Sequence, residues 1–176
     1  MDIYQIWMIY NPMWSKCEII SFSVLMIIIM MITTYGIWKR KWNTVQGIAI
    51  IILVLFLGIV FGSTVFTRAT TIRQYELKPF WSWCAIICYH DWKLLKENML
   101  NCILLAPMGF MLPVIFQHKV KMKQAFLSGF FVSVIIELLQ LIFKRGLFEW
   151  DDIIHNTLGS MFGCWVMNYI FMKLKN

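Results

Sequence analysis

Charge is scarce in this chain. Of 176 residues only 14% are charged and 60% are hydrophobic, whereas soluble domains carry about 25% charged and about 45–50% apolar residues. That balance excludes an ordinary soluble domain and points to a membrane protein. Acids are the rarest class: nine Asp and Glu stand against sixteen Lys and Arg, leaving a net charge of +7. The basic residues lie between apolar runs and do not gather on one soluble face, so no nucleic-acid partner is expected. Loops facing anionic lipid have this character. A basic start is also missing: Asp2 stands where a signal peptide would be positive, and the first long apolar run lacks a small-residue cleavage pattern. Cysteine is present in an odd number, five. Cys17, Cys102 and Cys164 adjoin or lie in apolar runs and read as small hydrophobes. Cys84, Cys88 and His90 approach metal-ligand spacing, but no second ligand pair completes them, so neither a metal nor a cofactor is expected. Repeats, linkers and low-complexity tracts are absent, which leaves one domain over residues 1–176.

What is present is a set of long apolar runs. A spanning helix needs about 20 apolar residues, each adding about 1.5 Å across a core of about 30 Å. Five stretches qualify: 19–38, 47–67, 98–117, 124–143 and 153–172. Glu137 is the only formal charge inside them. Residues 3–14 and 80–92 are apolar and rich in Trp and Tyr but too short to span, and read as interfacial or re-entrant segments. The expected fold is therefore all-α: a polytopic membrane helix bundle of about five transmembrane helices plus a short aromatic segment. Pro107 and Pro113 can kink the third span, and neighbouring helices can repair the lost bonds.

The loops orient the bundle. Lys39, Arg40, Lys41, Lys119, Lys121, Lys123, Lys173 and Lys175 fall on one side, packed close to span ends. An equal number of basic residues falls on the other side, spread through longer segments. Density makes the first side cytoplasmic, with the N-terminus outside and the C-terminus inside a multi-pass cell-membrane protein.

With these alternating spans, the polar residues converge on one half of the membrane. The second span exits at Arg68, the third begins with Asn98 and Asn101, the fourth carries Glu137 and Gln140, and the fifth begins with Asp151, Asp152 and Asn156. Glu137 precedes Phe143 by six residues, roughly 9 Å below the boundary. Gly129, Ser133 and Glu137 share one helix stripe, and Asp152, Asn156, Gly159 and Gly163 share another. Gly159 and Gly163, like Gly58 and Gly62, are spaced to let another backbone approach. An ionised carboxylate in hydrocarbon costs about 2.5–3.5 kcal/mol even on a permissive scale. Glu137 must therefore be protonated, paired or wet, with Arg68, Arg73 and Arg145 as candidate partners. Asp151 reads as a cap of the helix it begins, and Asp152 as part of the site. The candidate ligand-binding set is Arg68, Asn98, Asn101, Glu137, Gln140, Arg145, Asp152 and Asn156.

These residues resemble the VanZ-like family of small bacterial membrane proteins, over about residues 68–165. The resemblance lies in Arg68 followed by Leu77-Lys78-Pro79-Phe80, in "NMLNCILLAPMGFMLP", in "IIELLQL" with Glu137 and Gln140, and in "GLFEWDDIIHNTLGSMFG". Glu149 stands where the family more often has Asp, and Tyr75-Glu76-Leu77 departs from the family's Asn-Leu pattern. The resemblance implies a protein of the bacterial cell envelope. Its founding member is linked to low-level resistance to teicoplanin, a glycopeptide antibiotic that binds cell-wall precursors.

Three function classes follow. The first is a non-enzymatic protein in which an outward polar intramembrane pocket binds an anionic lipid-linked headgroup, such as a lipid-linked cell-wall precursor. Its partners would be membrane lipids. The second is an intramembrane enzyme on such a headgroup, with Glu137 or Asp152 as catalytic acid or base. A small proton-coupled transporter using Glu137 as relay is a third reading, against which the absence of inverted repeats argues.

Overall fold

The computed structural model describes residues 14–175; the aromatic stretch 3–14 lies outside them except for Trp14. Helix α1 (Lys16–Trp38) begins at Ser15, whose hydroxyl accepts from the Glu18 amide while the Glu18 carboxylate accepts from the Ser15 amide. That reciprocal cap satisfies two donors that a helix start leaves free. Helix α2 (Thr44–Phe61) starts the same way with Asn43 and Gln46, and runs into a wide π-type turn over Gly62–Phe66. A short strand β1 (Gln74–Glu76) precedes helices α3 (Trp81–Tyr89), α4 (Trp92–Leu104) and α5 (Ala106–Phe116). Helix α6 (Met122–Phe143), strand β2 (Leu147–Glu149) and helix α7 (Trp150–Lys175) complete the chain.

The all-α membrane bundle expected from the sequence is the fold observed. Among the described residues, four helical stretches have both the length and the hydropathy to cross a membrane: Lys16–Trp38, Thr44–Phe66, Trp92–Phe116 and Met122–Phe143. Helix α7, read as a fifth span, is 26 residues long, about 39 Å at 1.5 Å per residue. It has the length but does not join the four on hydropathy. Its position explains this. Helix α7 packs against α4, α5 and α6 together, and it buries Asn156, Thr157 and Ser160. A helix face packed against protein can carry polar side chains that a lipid-facing one cannot. The other faces are apolar and exposed: Leu158, Phe162 and Trp165 on α7, Ile20 and Met31 on α1, Phe131 and Ile142 on α6.

The third span differs from its sequence reading. It starts at Trp92 rather than near 98, and it breaks at Leu105 between α4 and α5. Pro107 sits in the first turn of α5, where its missing N–H removes no bond, and Pro113 is buried inside that helix. Of the aromatic segment 80–92, residues 81–89 form α3 and Trp92 begins the span.

Glycine determines how close the helices come. A Cβ on Gly159 would lie 1.8 Å from the Cys102 carbonyl oxygen, and one on Gly163 would lie 1.9 Å from that of Ala106. These carbonyls flank the break at Leu105, so α7 is in backbone contact with the third span there. Gly58 and Gly62 do something else: they make room for the side chains of Phe22 and Trp14, not for a backbone. The buried apolar cluster of Val60, Val65, Leu105 and Ile136, with Leu104 packed on it, joins α2 and its π-type turn, the break between α4 and α5, and α6 below the polar region. A two-stranded parallel sheet closes the opposite end, with Tyr75 opposite Phe148 and Glu76 opposite Glu149.

Candidate functional site

A cavity of about 380 Å³ lies between the end of α2 and α4, under β2 and the start of α3. Ser63, Thr64 and Arg68 line one wall; Leu94, Glu97, Asn98, Leu100, Asn101 and Leu104 line the other. Trp81, Ser82, Leu147, Glu149, Asp151 and Asp152 complete it. Four of the expected site residues therefore share one cavity: Arg68, Asn98, Asn101 and Asp152.

Three of the four are held by a neighbour. Asn101 donates from Nδ2 to Asp152 Oδ1, which joins α4 to α7. Asn98 is buried and donates to the Ser82 hydroxyl at 3.0 Å. Arg68 follows the π-type turn and is exposed. A Cβ on Gly146 would come within 3.0 Å of Arg68 Nη1 and 3.3 Å of Gln140 Oε1. Gly146 has φ +142°, a conformation that L side chains rarely adopt. Backbone conformation and the room needed for the arginine thus both require glycine there.

Asp151 does cap a helix, but not its own. Its carboxylate accepts from the Phe80 amide, from the Ser82 amide at 3.0 Å and from the Ser82 hydroxyl. These groups begin α3. The free N–H groups of a helix start attract an acid wherever it comes from, and the pairing of β1 with β2 brings α3 to Asp151. The acid is buried and forms a closed polar chain, Asp151–Ser82–Asn98.

Glu137, Gln140 and Asn156 are buried but do not line the cavity. Glu137 accepts from the Glu149 amide at 3.0 Å, so β2 is pinned to α6 by a carboxylate. Gln140 donates to the Thr64 carbonyl at 3.0 Å, and Asn156 donates to Ser133 at 2.9 Å. Gln140 Oε1 and Asn156 Oδ1 have no partner among the described residues. Arg145 is drawn elsewhere: its guanidinium donates to the Phe66 carbonyl. The end of α2 leaves carbonyls unsatisfied, and a cation answers that need locally.

The sequence reading did not place Ser63, Thr64, Glu97 or Glu149 in the site. Leu94, Glu97, Asn101 and Leu104 are spaced three, four and three, one face of α4, so the signal for Glu97 was present. Glu149 lies in a strand whose partner is remote in sequence; the family resemblance marks its position, but no periodicity assigns it to the site. Burial pushes the Glu149 carboxyl up to about 7, with the neighbouring Asp152 and Asp151 charges adding to the rise. Another missed pair is Trp83, which donates from Nε1 to Nε2 of buried His155 at 2.8 Å and ties α3 to α7. Among the described residues no three His, Cys, Asp or Glu side chains are arranged so that they could hold a metal ion. Cys84 and Cys88 are free and exposed.

The site lies within a stretch of the chain that matches a known family. The VanZ/LLP1 family model matches residues 44–172, which include every cavity residue and all of α2 to α6. No curated protein and no solved structure matches the chain. A membrane helix bundle with this match over most of its length belongs to the VanZ/LLP1 family.

Proposed function

We propose that this protein is a non-enzymatic membrane protein of the bacterial cell envelope whose cavity binds the anionic headgroup of a lipid-linked molecule. One observation carries the reading: a single arginine, Arg68, stands on the wall of a membrane-end cavity opposite Glu97, Glu149 and Asp152. A guanidinium binds phosphate bidentately. Carboxylates facing it accept from hydroxyl, amide or ammonium groups. The lining suits a head with one phosphate and several donors better than a head of several phosphates. Glu137, Gln140 and Asn156 act behind the wall, as supports of β2 and of helices α2 and α6. On the density of basic residues in the short loops, the cavity faces outward. Its effect on the cell would be altered access of a glycopeptide such as teicoplanin to wall precursors. The test is native mass spectrometry of the detergent-solubilised protein. The wild type should retain a phosphate-bearing lipid and Arg68→Gln should lose it; equal retention would refute the reading.

A second reading, an intramembrane enzyme, draws on one further observation. Glu149, pushed up to about 7, shares the cavity with Asp152. A carboxyl near the working pH beside a second acid is an arrangement suited to general acid–base chemistry. Turnover of a lipid-linked substrate by purified protein, abolished in Glu149→Gln, separates this from binding alone.

A further inference from the structure

We infer that the cavity opens sideways into the bilayer between the end of α2 and α4, so that the headgroup sits inside while its hydrocarbon chain lies outside against Leu100 and Ile103. The inference rests on the headgroup reading above and adds the route and the seat of the chain.

The argument follows α4 along its axis. Glu97 is exposed at the polar end of the cavity. Leu100 also lines the cavity, yet 54% of it is exposed, so it forms a rim and not an inner wall. Ile103 comes next and is 63% exposed. Within two turns the surface passes from carboxylate to bare hydrocarbon, and all three residues belong to the stretch Trp92–Phe116 that is long and apolar enough to cross a membrane. The facing rim, Ser63 and Thr64, ends the stretch Thr44–Phe66. Deeper in the bundle the gap is closed, because Leu104 packs on the cluster that contains Val60 and Val65 of the second span. On the far side Trp81, Ser82 and Glu149 cover the cavity, held by the bonds of Asp151 to α3 and of Glu137 to β2.

A water-soluble ligand would have no use for an apolar rim at this level. Contact between a chain and leucine adds little in itself, since lipid is as apolar as leucine. The chain confines the head to the plane of the cavity instead, which raises its effective concentration there. A single arginine is then sufficient for occupancy.

The test uses the full chain in lipid nanodiscs with a phosphatidylethanolamine carrying a photoreactive diazirine in mid-chain. Its head offers one phosphate and one ammonium. Labelling should be enriched about tenfold at Leu100 and Ile103 over Ile20 and Met31 of α1, in line with a local concentration effect. Leu100→Trp and, separately, Ile103→Trp should reduce that enrichment. Both positions are exposed, so folding is not at stake. Equal labelling of α1 and α4 would overturn the side opening. So would displacement of the lipid by soluble glycerophosphoethanolamine at the lipid's own concentration, although the headgroup reading would survive. Unchanged enrichment in Arg68→Gln would instead sink the headgroup reading and leave the side opening standing.

Discussion

Replacing Asp151 by alanine tests the claim that one acid fastens α3 over the cavity. The wild-type carboxylate accepts from two backbone amides, Phe80 and Ser82, and from the Ser82 hydroxyl. Both Asp151 and Ser82 are buried. Alanine leaves the buried Ser82 amide and hydroxyl without that acceptor, whereas Phe80 is exposed and water can replace the partner of its amide. An unsatisfied buried donor costs about 1–3 kcal/mol, so the two Ser82 groups together are worth roughly 4 kcal/mol. For a chain of this size 1 kcal/mol shifts Tm by about 2–4 °C, and the expected fall is about 8–16 °C in detergent. The break should be local first, since α3 otherwise holds through the Trp83–His155 bond and its contact with α4. Brief trypsin treatment should therefore cut at Arg73 or Lys93 in the variant well below its Tm. Asp151→Asn, which keeps one acceptor oxygen, should fall between wild type and alanine. An alanine variant with unchanged Tm and unchanged cleavage would show that α3 is held by other contacts.

Three other outcomes are expected. Gly159→Ala places a methyl 1.8 Å from the Cys102 carbonyl, a backbone atom that cannot rotate away, so the variant should accumulate poorly in membranes. Gly58→Ala, which meets only the Phe22 side chain, should accumulate nearly as well as wild type, and equal loss in both would refute the distinction. For Glu149, whose folded-state carboxyl is raised to about 7, the folded form binds the proton more tightly than the unfolded one. Its contribution to stability is then greatest below about pH 4.5, falls as pH rises towards 7 and is fully lost above it. Thermal melts across that window should slope downward in the wild type and flatten in Glu149→Gln; identical slopes would remove the assignment. Finally, a single cysteine at Lys121 in a cysteine-free background should resist an impermeant thiol reagent in intact cells, and labelling before lysis would turn the cavity towards the cytoplasm.

Much of this architecture was written in local patterns. Runs of about 20 apolar residues require helices in a membrane whatever surrounds them, because a lipid-exposed backbone must bond to itself. Alternation of those runs put Arg68, Asn98, Asn101 and Asp152 on one half of the membrane, and all four line the cavity. The spacing of Gly159 and Gly163 announced a close approach that occurs at Cys102 and Ala106. Periodicity names the face a residue occupies but not the neighbour it meets there. The neighbour depends on contacts between distant segments. Pairing of β1 with β2, some seventy residues apart in the chain, carries Asp151 to the start of α3 and Glu149 into the cavity. The open end of α2 takes Arg145 away from Glu137, and Glu137 is left to bind the Glu149 amide. An apolar scale alone sets α7 apart from the other spans, whereas its packing against three helices lets its buried face be polar. Buried donors and acceptors must find partners, but which partner each finds was decided only when the helices packed.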